Sequence, residues 1–175
     1  MGSWPGGAWS CGARGGSWPS RACTCGAGRG DNIEINLADG KCLDVPGSNF
    51  SSGVLVQEYS CNGTTAQKWD IVYVTSKYFQ VRSAGNRNLC LNNWTGTAKE
   101  GGDIRLHTCA STDSWFNQVD PDWNGYLRFQ PKVALATCVT AAGGPAQSAP
   151  MRLGLCGGAS YSSYFDLFNV VYSEN

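Results

Sequence analysis

Three pairs of cysteines recur along the chain with an almost constant period. The members of a pair are 19, 19 and 18 positions apart, and successive first members are 48 positions apart. The pairs are Cys42 with Cys61, Cys90 with Cys109, and Cys138 with Cys156. A fixed period with matching internal spacing predicts one supersecondary unit repeated three times. We expect the repeats at about residues 32–76, 77–124 and 125–172.

The spacing within each pair predicts a disulfide. It is much longer than the Cys-x-x-Cys spacing of zinc sites, and the chain has one histidine, so we expect no metal. The disulfides Cys42–Cys61, Cys90–Cys109 and Cys138–Cys156 would each close a loop worth roughly 3 kcal/mol in the chain-entropy model. The alternative is that the cysteines are reduced and packed in the core. Disulfides indicate an oxidising compartment and a secreted, extracellular protein, although we expect the start of this sequence not to be a signal peptide, because no apolar stretch follows Met1.

Composition excludes several classes of partner. The chain has 13 basic and 13 acidic residues and a net charge of zero, with no basic stripe for nucleic acid. No apolar run approaches the roughly 20 residues that a membrane-spanning helix needs. The 23 glycines, seven tryptophans and seven tyrosines favour an all-β domain with many turns.

The first part of the chain differs from the rest. Gly2-Ser3-Trp4-Pro5 returns as Gly16-Ser17-Trp18-Pro19 in a low-complexity stretch without helical or strand periodicity. Such a segment cannot build a core, so we expect residues 1–31 to be a disordered tail and residues 32–175 to form the folded domain.

Three Asn-x-Ser/Thr sequons fit a secreted glycoprotein. They begin at Asn49, Asn62 and Asn93. Chance is the alternative, because a chain rich in Asn, Ser and Thr forms sequons easily.

Each unit has the pattern of several short strands. An apolar residue follows the first cysteine, at Leu43, Leu91 and Val139, and short alternating stretches are separated by Gly, Asn, Ser and Pro. This predicts about four strands per unit and about twelve in all. Three such units with pseudo-threefold symmetry would form a closed barrel capped by hairpins, which is the β-trefoil.

The first unit resembles the ricin B-type (R-type) lectin repeat. The resemblance rests on Lys41-Cys42-Leu43-Asp44-Val45, on Val56-Gln57-Glu58-Tyr59-Ser60-Cys61 and on Gln67-Lys68-Trp69, which matches the family's Gln-x-Trp motif. It extends over about residues 32–172. In the other units Asp113-Ser114-Trp115 and Ser162-Ser163-Tyr164 stand in place of Gln-x-Trp.

The resemblance implies a sugar site in unit one. Asp44 matches the carboxylate that binds two adjacent hydroxyls, Gln57 the polar contact, and Tyr59 the ring that stacks on the sugar. Gln67 matches the glutamine that orients the carboxylate or supports the loop. Ala66 departs from the family, which often has Asn there. Without the resemblance, Asp44 reads as a turn-stabilising residue and Tyr59 as barrel packing.

The other two units keep less of this pattern. In unit two the acid, amide and ring positions are held by Asn92, Arg105 and His107, so we expect at most a weak second site. Trp94 is either an unusual stacking platform or buried in the cap. In unit three the acid, amide and ring positions are held by Thr140, Arg152 and Gly154. With no acid and no ring, we expect unit three to bind no sugar.

These features predict a lectin for galactose or N-acetylgalactosamine, with xylan-type glycans as the next class, and no cofactor. We expect no catalysis, because His107 has no nucleophile partner and no spacing selects a pair of carboxylates. Because ricin-type modules are often attached to hydrolases or toxins, a catalytic or toxin partner chain is a further expectation. The alternative function is a β-trefoil that contacts proteins, as inhibitors and growth factors of this architecture do.

Overall fold

The computed structural model describes seven stretches of the chain, with short gaps between them. They are residues 30–94, 96, 99–119, 127–133, 136–144, 146–156 and 165–166. The predicted disordered tail, residues 1–31, lies outside this part of the chain except for its last two residues. The described elements are β-strands and short 3-10 turns, which confirms the all-β prediction.

The strands follow the three repeated units. Unit one contains five: β1 (Gly30–Ile33), β2 (Asn36–Leu37), β3 (Cys42–Asp44), β4 (Gln57–Tyr59) and β5 (Trp69–Tyr73). Unit two contains four: β6 (Phe79–Ser83), β7 (Leu89–Asn93), β8 (Ile104–Thr108) and β9 (Phe116–Val119). Unit three contains β10 (Arg128–Pro131), β11 (Thr137–Ala141), β12 (Met151–Leu155) and β13 (Phe165–Asp166). The described residues thus contain thirteen strands, against the roughly twelve that the sequence predicts for the chain.

Each unit is built around one antiparallel hairpin, and the three hairpins share one register. In each, the first cysteine pairs with the predicted ring position, and the predicted acid position pairs with the predicted amide position. The pairs are Cys42↔Tyr59 and Asp44↔Gln57, Cys90↔His107 and Asn92↔Arg105, and Cys138↔Gly154 and Thr140↔Arg152. The sequence repeat is therefore also a repeat of backbone positions.

The remaining strands connect the units. Antiparallel pairing runs from β1 through β5, β6 and β7 to β8, while β9 pairs with both β6 and β10. In the second sheet β13 pairs with β2, which joins the end of unit three to the start of unit one. These pairings bring the last unit back to the first, as the closed β-trefoil requires.

Three buried apolar residues meet where the hairpins approach one another. Val56, Ile104 and Met151 each lie five positions before the second cysteine of their unit, and all are fully buried. The Val56 amide donates to the Ile104 carbonyl at 3.0 Å, and the Met151 amide donates to the Val56 carbonyl at 2.8 Å. Burying such side chains stabilises the fold by about 1.5–3 kcal/mol each.

All three predicted disulfides are present, and the reduced-cysteine alternative is wrong. The pairs Cys42–Cys61, Cys90–Cys109 and Cys138–Cys156 each have a Cα–Cα distance of 5.0 Å. Because the first cysteine lies in a hairpin strand and the second lies just beyond the partner strand, each disulfide fixes the end of its hairpin. Among the described residues, no helix has the length and apolar character needed to cross a bilayer.

The closing aromatic of unit two is Phe116 rather than the expected Trp115. Phe116 begins β9 and pairs with Phe79, just as Trp69 begins β5 and pairs with Ile33, and both rings are fully buried. Ser114 therefore occupies the position of Gln67, one residue away from the expected alignment. The sequence motif pointed to Trp115, but the aromatic side chain that fills this core position is Phe116.

Candidate functional site

Three of the four residues predicted for unit one line one surface cavity. The cavity has a volume of about 270 Å³ and contains Asp44, Gln57 and Tyr59. Asp44 and Gln57 face each other across the hairpin, and Tyr59 lies two residues further along the same strand as Gln57. Since alternate residues of a strand point to the same face, Gln57 and Tyr59 reach the cavity together.

The Asp44 carboxylate is nearly buried and is held by one neighbour. Its exposed fraction is 5%, and its Oδ2 accepts a hydrogen bond of 2.7 Å from the Gln57 Nε2. Within the part of the chain that the structure describes, no side-chain donor is seen at Oδ1. A carboxylate accepts charge-assisted hydrogen bonds from hydroxyl groups, and these are stronger than neutral ones. The pair is thus a fixed acceptor beside Tyr59, which is partly exposed.

Gln67, the fourth predicted residue, does not line the cavity. It is fully buried, its Oε1 accepts from the Asn62 amide at 2.7 Å, and its Nε2 donates to the Ser60 carbonyl at 3.0 Å. These bonds hold the segment that follows Tyr59. Gln67 therefore supports the loop after Tyr59, which is one of the two roles that the sequence pattern predicted for it.

The cavity also contains residues that sequence reasoning missed. Asn62 and Thr64 come from the segment after Cys61, and Gly47 and Ser48 come from the 3-10 turn after Asp44. The Asn62 Oδ1 accepts from the Thr64 amide at 3.0 Å and from the Thr64 hydroxyl at 2.7 Å. The Asn62-Gly63-Thr64 sequon was the available signal, but nothing in the sequence placed it beside Asp44.

A buried carboxyl lies behind the site on the same strand. Glu58, between Gln57 and Tyr59, is fully buried, and its Oε1 accepts a hydrogen bond from the Ala146 amide of unit three. Its Oε2 is buried without a hydrogen-bond partner among the described residues. Burial raises the pKa of Glu58 above its ordinary value, against the smaller opposing effect of the Ala146 hydrogen bond.

In unit two the predicted acid position faces inward. Asn92 is buried, and its Nδ2 donates to the Ser114 Oγ at 3.0 Å. Arg105, its partner across the hairpin, is also engaged: its Nη2 donates to Asp103 at 2.7 Å and its Nη1 donates to the Gly53 carbonyl at 2.7 Å. The structure thus does not bring Asn92, Arg105 and His107 together as a site equivalent to that of unit one.

Trp94 and His107 instead form an aromatic surface in unit two. The Trp94 side chain is 42% exposed, so the expectation that it is buried in the cap is wrong. Its ring lies 5.3 Å from the His107 ring in an edge-to-face arrangement, and the Arg105 guanidinium lies 5.7 Å from it. The Ser52 hydroxyl lies 2.8 Å from the His107 Nδ1.

Unit three has a cavity with no acid and no ring at the positions that match Asp44 and Tyr59, although Glu100 of unit two also lines it. It measures about 460 Å³ and includes Thr140, Arg152 and Gly154. A Cβ atom added at Gly154 would lie 2.6 Å from the Thr140 methyl group, so Thr140 occupies the space that a larger residue would need. Arg152 is paired with Asp103 of unit two at 3.1 Å. Across the described residues, no group of three metal-ligating side chains is present.

Comparison with known proteins agrees with this architecture. Residues 26–107 match the family model described as a ricin-type beta-trefoil lectin domain-like family. A search of curated proteins finds no match for the chain.

Solved structures with the same fold cover most of the chain. A designed threefold symmetric protein, ThreeFoil, is 17% identical with a TM-score of 0.68, covering 77% of this chain and 95% of that one. An exo-β-1,3-galactanase from Clostridium thermocellum is 15% identical with a TM-score of 0.69, covering 78% and 29%. The Macrolepiota procera ricin B-like lectin in complex with lactose is 14% identical with a TM-score of 0.63, covering 81% and 96%. Identities this low establish the fold alone.

Proposed function

From the premise that this chain is an R-type β-trefoil, we propose that it is a carbohydrate-binding lectin whose principal site is the cavity of unit one. The observation that carries the proposal is the Asp44–Gln57 pair beside the Tyr59 ring in one open cavity. A saccharide would donate two neighbouring hydroxyls to the Asp44 carboxylate and lay its C–H face on Tyr59. Catalysis forms no part of the proposal.

Galactose and N-acetylgalactosamine are the proposed ligands, with xylan-type glycans as the next class. Two neighbours of this fold support the choice, since one is a galactanase and the other is a lectin in complex with lactose. A single shallow site gives a dissociation constant of about 1 mM, which is about −4 kcal/mol. The chain spans 29% of the galactanase, so a role as the sugar-binding module of a hydrolase or toxin partner belongs to the same proposal.

The three disulfides support a place of action outside the cell, because such bonds persist in oxidising compartments. The competing function is a β-trefoil that contacts protein and binds little sugar. The inward-facing Asn92 and the missing ring at Gly154 favour it, because they leave unit one as the one unit with both an acid and a ring at these positions.

Binding of the disulfide-bonded chain to an array of terminal galactosides and xylans tests the proposal. Asp44→Ala removes the carboxylate, and we expect its affinity to fall by about tenfold or more, as for a lost hydrogen bond to a charged group. Asn92→Ala is the matched control at the same position of unit two and should bind as the wild type does. A folded wild type without any glycan signal would overturn the lectin proposal and favour the protein-contact function.

A further inference from the structure

The three sequons differ in how accessible they are. Asn93 lies in β7 and is fully buried, so an oligosaccharide cannot be attached there without unfolding the strand. Asn49 is exposed and follows the 3-10 turn Pro46–Ser48. Asn62 is exposed in the segment after Cys61. Two of the three sequons are therefore open to modification in the folded domain.

The Asn62 side chain has a defined conformation. Both hydrogen bonds from Thr64 go to the Asn62 Oδ1, at 3.0 Å from the amide and 2.7 Å from the hydroxyl, and Gly63 between them has a φ of +70°. The Nδ2 takes part in neither bond. The backbone amide of Asn62 is held by the buried Gln67. The sequon is thus an ordered surface turn whose amide nitrogen is not used by the turn itself.

Asn62 also lines the candidate sugar cavity. It shares the roughly 270 Å³ cavity with Asp44, Gln57, Tyr59 and Thr64. An oligosaccharide is much larger than this volume, so one attached at this rim must extend over the cavity or beside it. A tether of a few bonds also gives the attached sugar a local concentration in the millimolar range or above. That is comparable with the dissociation constant of about 1 mM expected for a shallow site.

We infer that Asn62 is an N-glycosylation acceptor and that its glycan covers the sugar cavity of unit one. The effect on sugar binding rests on the proposed function of the cavity, whereas the acceptor assignment and the covering stand on the sequon, its exposure, its turn and its place at the cavity. The same chain would then exist in an open form and a covered form. Glycosylation, rather than sequence, would set the fraction of molecules that bind external glycans at this site.

The chemical step is a group transfer from an oligosaccharide carried on a lipid pyrophosphate. The bond between the Asn62 Nδ2 and C1 of the first sugar forms while the bond between C1 and the phosphate oxygen breaks. The lipid pyrophosphate leaves with the electron pair, and the amide gives one proton to a base of the transferase. Nothing is oxidised or reduced.

The acceptor assignment is tested on the full chain secreted from eukaryotic cells. Peptide mass spectrometry should find the glycan on Asn62, and Asn62→Gln and Thr64→Ala should remove it. Thr64→Ser keeps both the sequon and its hydroxyl, so it should remain modified. Asn49→Gln removes the other exposed sequon and should leave Asn62 modified. An unmodified Asn62 in protein that carries a glycan on Asn49 would overturn the assignment.

The covering is tested by two measurements with different requirements. The first is nitration of Tyr59 by tetranitromethane, which needs no sugar binding. It should be slower in the Asn62 glycoform than in the unmodified chain, while the exposed Tyr73 reacts equally in both. Equal nitration of Tyr59 in the two forms would overturn the covering even if Asn62 is modified.

The second measurement is retention on immobilised lactose. The unmodified chain from an oxidising bacterial compartment should be retained, and the glycoform should bind more weakly by about twofold or more, because a local concentration equal to the dissociation constant fills half of the sites. Bacterial Asn62→Gln and Thr64→Ala proteins control for effects of the substitutions themselves. Slow Tyr59 nitration without retention of the unmodified chain would overturn the proposed function but support the covering, so the two failures are distinguishable.

Discussion

The hairpins of units one and two have the same backbone register and opposite side-chain arrangements. Asp44 pairs with Gln57 just as Asn92 pairs with Arg105. In unit one the two side chains hydrogen-bond to each other in the cavity wall. In unit two Asn92 donates to Ser114 instead, and Arg105 donates to the Gly53 carbonyl. The β-trefoil frame thus provides a position in every unit, and the neighbouring side chains decide whether that position is usable.

The difference between the two units originates at the residue that lies two positions before the closing aromatic, which is Gln67 in unit one and Ser114 in unit two. Gln67 is long enough to reach both Ser60 and Asn62, and it leaves Asp44 free to face the cavity. Ser114 holds the equivalent position, and its hydroxyl donates to the carbonyl of Thr108, the counterpart of Ser60, at 3.4 Å. The same hydroxyl also accepts a hydrogen bond from the Asn92 Nδ2, which holds the acid position of unit two in the interior.

The largest expected effect comes from removing a disulfide, and it separates stability from binding. Replacing both cysteines of Cys42–Cys61 or of Cys90–Cys109 by alanine opens loops of equal length, with separations of 19 and 19. Both variants should lose roughly 3 kcal/mol of unfolding free energy in urea titrations. Sugar affinity should fall in the first variant alone, because Cys42 and Cys61 flank Asp44 and Tyr59.

That comparison would break if both disulfide variants lost affinity equally while remaining folded by circular dichroism. Such a result would mean that the hairpins of the three units are structurally coupled, and that the unit-one cavity depends on all of them rather than on its own disulfide.

The next effect comes from the closing turn. Gln67→Ala leaves the Asn62 amide and the Ser60 carbonyl without their partner, which should cost about 2 kcal/mol of unfolding free energy. Affinity for galactosides should fall as well, because the segment that carries Asn62 is released. Ser114→Ala is the matched control in unit two and should cost about 1 kcal/mol, since it removes the acceptor of the Asn92 amide and a long hydrogen bond to the Thr108 carbonyl. Unchanged sugar affinity in a folded Gln67→Ala protein would contradict the supporting role.

The sequence predicted the fold and the site unequally, and the reason is physical. The period of the cysteines can be read from the sequence without knowledge of any tertiary contact. The three units, their disulfides and the trefoil therefore followed from it directly. The sequence also singled out Asp44, Gln57 and Tyr59, which line one cavity in the structure, because they keep fixed distances from the cysteines of unit one. The orientation of a side chain depends on partners that are distant in sequence, and no spacing rule contains that information.

Unit two contains the clearest cases. Asn92 faces inward because Ser114, 22 residues away, accepts its amide. Trp94 remains exposed beside His107, which is itself held near Ser52 of another unit. The contribution of Asn62 to the unit-one cavity was missed for the same reason, since it required the fold of the segment after Cys61.

The aromatic position gives the next smaller effect. Tyr59→Ala removes the surface on which a sugar ring would stack, and affinity should fall by about fivefold, or about 1 kcal/mol. Tyr59→Phe keeps that surface and should retain most of the affinity. His107→Ala changes the same position of unit two and should leave galactoside affinity unchanged, as measured by titration calorimetry. A loss in His107→Ala equal to that in Tyr59→Ala would show that unit two also binds the ligand.

The smallest expected effect concerns the interior of the hairpins, where unit one differs once more. Glu58 faces Leu43 across its hairpin, whereas leucines fill the equivalent buried positions of the other units, at Leu106 and Leu153. Because burial raises the pKa of Glu58, the folded state holds its proton at pH values where the unfolded chain has released it. Unfolding free energy from this group should therefore decrease as pH rises from its ordinary pKa of about 4.5 through its raised value.

Glu58→Gln should remove that dependence, because the amide keeps an acceptor for the Ala146 amide but does not titrate. Urea titrations between about pH 4 and 7 should show the difference in stability between Glu58→Gln and the wild type growing as pH rises. Glu100→Gln, on an exposed residue, controls for the loss of one negative charge. A difference that is constant with pH would mean that Glu58 titrates alike in the folded and unfolded chain. Burial of Glu58 would then make no pH-dependent contribution to the unfolding free energy, as is the case for Leu106 and Leu153 in the other two units.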